Sequence, residues 1–242
     1  MTLPLFYEPD LSEQSALLQL GDDTVRHCLQ VLRMREGESI ELTNGKGLSA
    51  TGILSLTGKK SAQASCHSFF LHQPARAQLT LCISPLKNPQ RMEWLLEKAT
   101  EIGMAGLQPI ICQRTEQTKW RRERLEGILV SAMLQSRQYF LPSLYDPIDF
   151  NQLMNFPTLK EQWIAHCAEG TKDSLSNYSL SGEARMLIGP EGDFTPKEIS
   201  DAIEHKYLPV DLGSNRLRSE TAGLVAVSLL LLSSKNQSPF RL

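Results

Sequence analysis

The sequence lacks paired cysteines. Its five, Cys28, Cys66, Cys82, Cys112 and Cys167, are odd in number, and none forms a C-x-x-C pair. That argues against a disulfide framework and against zinc spacing, so no metal is expected. Reduced, mostly buried thiols of a cytoplasmic protein are the expectation. A long apolar run is also missing. The longest, AGLVAVSLLLL near the C-terminus, is too short to span a bilayer and reads as a buried helix. The start, MTLPLFYEPDL, has neither the basic nor the apolar stretch of a secretory signal. No membrane partner is expected. Positive charge is not in excess either: 25 Lys and Arg stand against 27 Asp and Glu. Residues 1–72 carry 6 against 8, and residues 73–242 carry 19 against 19. Bulk charge therefore gives no case for a nucleic-acid partner, which must rest on local patches. Two nucleotide fingerprints are absent as well. There is no G-x-x-x-x-G-K-[ST], and no G-x-G-x-x-G follows the first strand of the α/β region.

What is present is apolar material for a real core, 41% of 242 residues. That suits two modest domains or one large one. Residues 1 to 72 read as β-rich, in the runs SIELTNG, LSATGILSL and QASCHSFFL. Asn44-Gly45 is a hairpin turn signal, because both residues tolerate positive φ. One short helix is expected over DDTVRHCLQVL, capped by Asp22 or Asp23, with Val25, Leu29 and Leu32 on one face. Together these suggest a small barrel with one helix.

After the linker-like His72-to-Arg76 the pattern changes. Strands QLTLCIS, LQPIIC, EQWIAHC, ARMLIGP and YLPVDLG alternate with helices, which predicts a parallel α/β sheet. Asn88-Pro89 should open one helix and Gly103 close it. Met92, Leu95, Leu96, Ala99 and Ile102 mark its buried face. A second helix is expected over Trp120 to Gln135, and two more start near Thr195 and Ser219. Residues 168 to 184, mostly polar, read as a flexible loop.

Ligands of parallel α/β sheets bind beyond the C-terminal ends of the strands. Three such ends are candidates: His166-Cys167, Gly189-to-Asp193 in LIGPEGDFTPKEI, and Leu212-to-Arg218 in LGSNRLRSETAG. Glycines there allow close approach to the backbone. Thr195-Pro196-Lys197-Glu198 is a capping box that stiffens the loop before it. Glu191 and Asp193 would repel a phosphate, so a cationic or neutral, nucleoside-like ligand fits better. A lone G-x-x-G shapes a turn more often than a site, but two such loops point to one.

The pair GPEGDFTPKEI and LGSNRLRSETA resembles the signature of the SPOUT-class RNA methyltransferases, most closely those that methylate 16S ribosomal RNA. HCLQVLRMREGESIEL (27–42), ISPLKNPQRMEWLLEKATEIGMAGLQPIICQRTE (83–116) and SAMLQSRQYFLP (131–142) resemble further motifs of that family. The resemblance runs in order over nearly the whole chain. It implies a PUA-like N-terminal β-barrel over 1–72. It also implies a SPOUT α/β domain over 73–242, with a parallel sheet and a deep trefoil knot. S-adenosylmethionine would donate the methyl, N3 of a uridine would accept it, and the protein would be a homodimer. The substrate would be 16S ribosomal RNA in the small subunit.

Carried over by position, the cofactor pocket would comprise Gly189, Pro190, Glu191, Gly192, Leu212, Gly213, Leu217 and Arg218, with His166 as a wall. Arg218 is the candidate for orienting uracil and stabilising its anion, because guanidinium stays charged and offers a planar fork. Glu191 and Glu220 are candidate proton acceptors, with water as a third. Arg33 and Arg35 in the barrel motif, and Lys87, Arg91 and Arg121 in a locally basic stretch, are the RNA contacts. Two positions depart from the family: Asp193, where Gly is commonest, and Leu134, where many members carry an acid. The rivals are a SPOUT enzyme acting on a different RNA such as transfer RNA, a non-catalytic RNA-binding factor, and a generic nucleotide-binding enzyme.

Overall fold

The computed structural model describes residues 2–58, 60–117 and 119–233. The chain divides into two compact units, Met1–Pro74 with Met133–Leu141, and Ala75–Ala132 with Pro142–Leu242.

The first unit holds β1 (Leu5–Tyr7), β2 (Leu17–Gln19), α1 (Asp22–Arg26), β3 (Ser39–Thr43), β4 (Leu48–Gly58) and β5 (Ser61–Leu71). Its five strands run in the order β1-β3-β4-β5-β2, parallel between β1 and β3 and antiparallel elsewhere. Strand alternation sends Ile40, Leu42, Leu54, Ala62 and Ala64 into one core, each fully buried. The Asn44-Gly45 turn forms, within a four-residue loop. The Asn44 side chain accepts the N–H groups of Lys46 (2.8 Å) and Leu48 (3.2 Å), while Gly45 and Gly47 take φ of 67° and 95°.

The helix differs from expectation. Asp22 and Asp23 lie in its first turn, and the N-cap is Gly21. The Gly21 N–H is taken by the Glu8 carboxylate (3.0 Å), and burial pushes that carboxyl above its usual range. Val25 is buried and Leu29 packs on the core, but Leu32 is 45% exposed. The cause is a π-helical segment over His27–Val31, where Leu32 N–H bonds back to the His27 carbonyl. That wider turn breaks the helical period from which a shared face was expected.

Residues Met133–Leu141 complete this unit. Gly47 N–H donates to the Tyr139 carbonyl (2.9 Å), and Leu141 N–H to the Gly45 carbonyl (2.8 Å). The Tyr139 hydroxyl donates to Glu41 (2.6 Å), and its ring stacks on His72 at 3.7 Å. Burial, then the Glu41 contact, push the Tyr139 phenol up to about 12.

The second unit contains β6 (Gln78–Ile83), α2 (Pro89–Ile102), β7 (Gly106–Ile111), all but the last turn of α3 (Arg122–Gln135), β8 (Ser143–Leu144), β9 (Ile148–Asp149), α4 (Phe150–Met154), β10 (Glu161–Ala165), β11 (Asp173–Ser174), β12 (Glu183–Ile188), α5 (Pro196–Glu204), β13 (Leu208–Asp211) and α6 (Ser219–Leu232). The strand order is β11-β13-β10-β12-β6-β7-β8, with β9 beside β7. Every pairing is parallel, as the alternation of strands and helices predicts.

Helix α2 begins and ends where expected. The Asn88 side chain accepts Gln90 N–H (2.9 Å), Pro89 follows, and Gly103 closes at φ 102°. Met92, Leu95, Leu96 and Ala99 are buried, and Ile102 is half-buried. The C-terminal apolar run forms α6, with Ala226, Val227, Leu230 and Leu231 buried. The stretch 168 to 184 is not a structureless loop. It forms β11 against β13 and a 3₁₀ turn over Leu175–Asn177, and it buries Leu175 and Leu180. Two leucines among polar neighbours were enough to anchor it.

One topological fact positions the site. β10 lies between β12 and β13, so the three strand ends picked out in the sequence are neighbours.

Gly47→Ala should destabilise the first unit by about 2 kcal/mol or more. Its left-handed backbone disfavours a side chain, and a Cβ would lie 2.5 Å from the Phe140 ring. Urea unfolding monitored by tyrosine fluorescence would measure the loss.

Candidate functional site

The stretch 189–198 is held by its own acidic side chains. The Asp193 N–H closes a turn onto the Pro190 carbonyl (2.9 Å), which places Asp193 at φ 63°. That left-handed conformation is the one glycine adopts most readily. Here the aspartate side chain has its own task. Oδ2 accepts the Cys167 N–H at the end of β10 (2.8 Å), and Oδ1 accepts the Phe194 N–H (2.8 Å). Glu191 Oε1 accepts the Lys87 N–H beyond β6 (2.9 Å). Glu198 is buried. Its Oε1 accepts the Gln113 N–H beyond β7 (2.8 Å), and its Oε2 accepts the Thr195 N–H (2.8 Å), completing the expected capping box. Arg114 adds a clamp, donating to the Gly192 carbonyl (2.7 Å). Gly189 has no room for a side chain, since a Cβ would stand 3.1 Å from the Phe194 nitrogen.

The second loop follows β13. Asp211 accepts the Gly213 N–H (3.1 Å), and Gly213 takes φ 120°, which needs glycine. Leu212 and Leu217 are half-buried, while Arg216 and Arg218 are exposed. Arg218 is the N-cap of α6 with extended backbone, and its carbonyl accepts Ala222 N–H (2.7 Å).

Together the three strand ends enclose a cleft of about 800 Å³. His166, Gly189, Pro190, Glu191, Leu212, Gly213, Leu217 and Arg218 all line it, so the structure brings together nearly all of the expected pocket. Gly192 lies on the same turn, packed against Arg114 and off the lining.

Arg218 makes no ion pair among the described residues. The two acids that could have neutralised it are engaged elsewhere: Glu191 takes the Lys87 amide, and Glu220 pairs with Arg91 at 3.5 Å. Glu220 sits in the first turn of α6, where the helix dipole favours it, but it is also buried, and its Oε2 has no hydrogen-bond partner. Arg91 lines the cleft from α2. Lys87 is exposed and pairs with Glu116 (2.7 Å), and Arg121 is exposed just before α3. Arg33 and Arg35 are exposed in the first unit, Arg33 at φ 54°.

Both His166 ring nitrogens are buried without hydrogen-bond partners among the described residues. Burial, then the positive charge of Lys172, hold its pKa below the ordinary 6.5. Lys172, Asp211 and the half-exposed Asp193 also face the cleft. Sequence reading gave Lys172 and Asp211 no role. Lys172 lies in a polar stretch with no motif, and Asp211 looks like the end of a strand. Among the described residues, no cluster of three His, Cys, Asp or Glu could hold a metal, and no helix is long and apolar enough to cross a membrane. Four cysteines are buried and Cys167 is exposed at the cleft.

Glu198→Ala should cost about 2 kcal/mol, because it leaves the buried Thr195 N–H and the part-buried Gln113 N–H without their charged acceptor. The thermal midpoint would record it. The lowered His166 pKa has a pH signature. The unfolded chain binds this proton first, so stability falls as pH drops below about 6.5. His72 shifts the same way through burial. His166→Gln should remove its share of that decline, read as the change in urea midpoint between neutral and mildly acidic buffer.

Comparison with known proteins agrees with this geometry. Residues 73–231 match the RNA methyltransferase domain model, and residues 20–65 match the RNA methyltransferase PUA domain model. A probable rRNA-methyltransferase of Porphyromonas gingivalis is 38% identical over 93% of this chain and 96% of its own, with a TM-score of 0.87. Ribosomal RNA small subunit methyltransferase E of Neisseria gonorrhoeae, solved with S-adenosyl methionine, is 31% identical over 94% of this chain and 96% of its own, with a TM-score of 0.83. The enzyme of the same name from Bacillus subtilis is 24% identical over 90% of this chain and 91% of its own. The expected architecture, a PUA-like unit followed by an α/β methyltransferase domain, agrees with these matches. The chain therefore belongs to the RNA methyltransferase family, the family that includes ribosomal RNA small subunit methyltransferase E.

Proposed function

We propose that this protein transfers the methyl group of S-adenosylmethionine to N3 of a uridine in 16S ribosomal RNA. It would do so in the cytoplasm, on the small ribosomal subunit, as a homodimer. The observation that carries the reading is an unpaired arginine, Arg218, at a cleft walled by three neighbouring strand ends. The relatives named above support the substrate class. We assign recognition of RNA to residues 1–72, and methyl transfer to a SPOUT domain over 73–242 with a deep trefoil knot.

The residues of the cleft fit the donor. Gly213 leaves backbone open to close approach, and Glu191, Asp193 and Asp211 face the space, which suits a cationic sulfonium. Gly189, Pro190, Glu191, Gly192, Leu212, Gly213, Leu217 and Arg218 would hold it, with His166 as a wall. When bound, the donor supplies an electrophilic methyl group. Uracil N3 is a weak acid, so the protein must orient the base and stabilise its anion. Arg218 offers two parallel N–H donors and a permanent charge for that purpose. Glu191 uses one oxygen to accept the Lys87 N–H, which leaves the other to accept the N3 proton.

Arg33, Arg35, Lys87, Arg91 and Arg121 would contact RNA. With net charge near zero, recognition rests on the shape of an assembled particle more than on strong binding to free RNA. The homodimer is supported by α6. Beside its buried face it carries half-exposed Leu224, Val225 and Leu229, and Leu232 is 56% exposed.

Labelled methyl transfer to unmodified small subunits, naked 16S RNA and transfer RNA tests the reading. N3-methyluridine on the subunit is the expected product, identified by mass spectrometry. Transfer to none of them, with the donor still bound, would point to a non-catalytic RNA-binding role. Arg218→Ala should lower turnover at least about a hundredfold while donor affinity changes only a few-fold. Surviving turnover would remove Arg218 from the chemistry.

A further inference from the structure

We propose that Lys172 is the anchor for the carboxylate of the donor's amino-acid end, a role that rests on the cleft's binding S-adenosylmethionine. Three observations converge on this residue. Its backbone is pinned, because β11 begins at the next residue and pairs with β13, Asp173 opposite Val210 and Ser174 opposite Asp211. Its ammonium is pinned too. Nζ donates to the His166 carbonyl and to the Ala168 carbonyl, both at 2.8 Å. An ammonium has three donors, so one remains. Finally, Lys172 lines the cleft and makes no ion pair among the described residues, although Asp193 and Asp211 line the same space.

A cation held in place by neutral carbonyls keeps its full charge for a ligand. That is the difference from the other basic groups nearby. Arg91 is committed to Glu220, and Lys87 to Glu116. Arg216 and Arg218 lie on the loop after β13, to which the proposed function gives the RNA chemistry. The donor has one anionic group, the carboxylate of its amino-acid part. The β10 end of the cleft therefore offers a fixed positive charge where the ligand has its only negative one. Asp211, with one oxygen on the Gly213 N–H and the other uncommitted among the described residues, lines the same cleft and suits the neighbouring ammonium of that amino acid.

The test compares two thioethers that share the adenosine and differ in the amino-acid part, S-adenosylhomocysteine and 5′-methylthioadenosine. Binding of each is measured by calorimetry to wild type, Lys172→Met and Lys172→Arg. Loss of one charge-assisted hydrogen bond should weaken S-adenosylhomocysteine about tenfold in the Met variant. Methylthioadenosine affinity should stay within about twofold, and the Arg variant should recover most of the loss. Equal weakening of both ligands would mean that Lys172 only holds the His166–Ala168 backbone, and the proposal fails. Unchanged affinity for both, with weaker binding to small subunits, would make Lys172 an RNA contact and also overturns it. If wild type binds neither thioether nor S-adenosylmethionine, the reading of the cleft itself fails, a result distinct from the other two.

Discussion

The second unit depends on carboxylates that accept backbone N–H groups across strand ends. Asp193 reaches Cys167 beyond β10, Glu191 reaches Lys87 beyond β6, and Glu198 reaches Gln113 beyond β7. In a parallel sheet every strand ends on the same side with amides that no ladder satisfies. Here one turn, 189–198, gathers those amides onto itself. The charged acceptor makes each bond stronger than a neutral one, and the partial burial of Asp193 and Glu198 strengthens it further. The cleft is bounded by loops, yet those loops are fixed.

This constraint also sorts the charges. Acids that a sequence places near a site invite readings as bases or as partners for arginine. In the fold each of them has at least one oxygen committed to another element. Glu220 lies two residues from Arg218, but Glu191 and Glu220 are each taken by a group on a different element, Lys87 on the β6 side and Arg91 on α2. The consequence is that the Arg218 guanidinium makes no ion pair among the described residues. Lys172 reaches the same condition by another route, through neutral carbonyl acceptors. Cations left without counter-ions at the rim of a cleft are costly in solvation terms only when buried, and both of these are at least partly exposed.

Much of the fold was legible where local rules act alone. Asn88, Pro89 and Gly103 bound α2 because capping is a matter of adjacent residues. The Thr195–Glu198 box starts α5 for the same reason. The apolar run 222–232 could only be a buried helix. Reading failed where a longer contact overrides the local pattern. Leu32 leaves its expected face because the π turn adds a residue to the helical repeat. Leu175 and Leu180 fold a polar stretch inward because β13 offers an edge for β11. α4, five residues long, is shorter than any window in which periodicity can be seen.

By itself the sequence determined the order of the longer strands and helices of the α/β region, the capped helix starts and the loops that matter, because glycine, proline and capping residues act over a few positions. It also carried the family likeness, which no single motif would have secured. Only the tertiary structure decided which strand ends are neighbours, that Asp193 is an inward tie, and which cations stay unpaired. Those depend on residues up to 104 positions apart, as Lys87 and Glu191 are. No local preference can encode such a pairing, because it exists only once the sheet has brought β6 and β12 side by side.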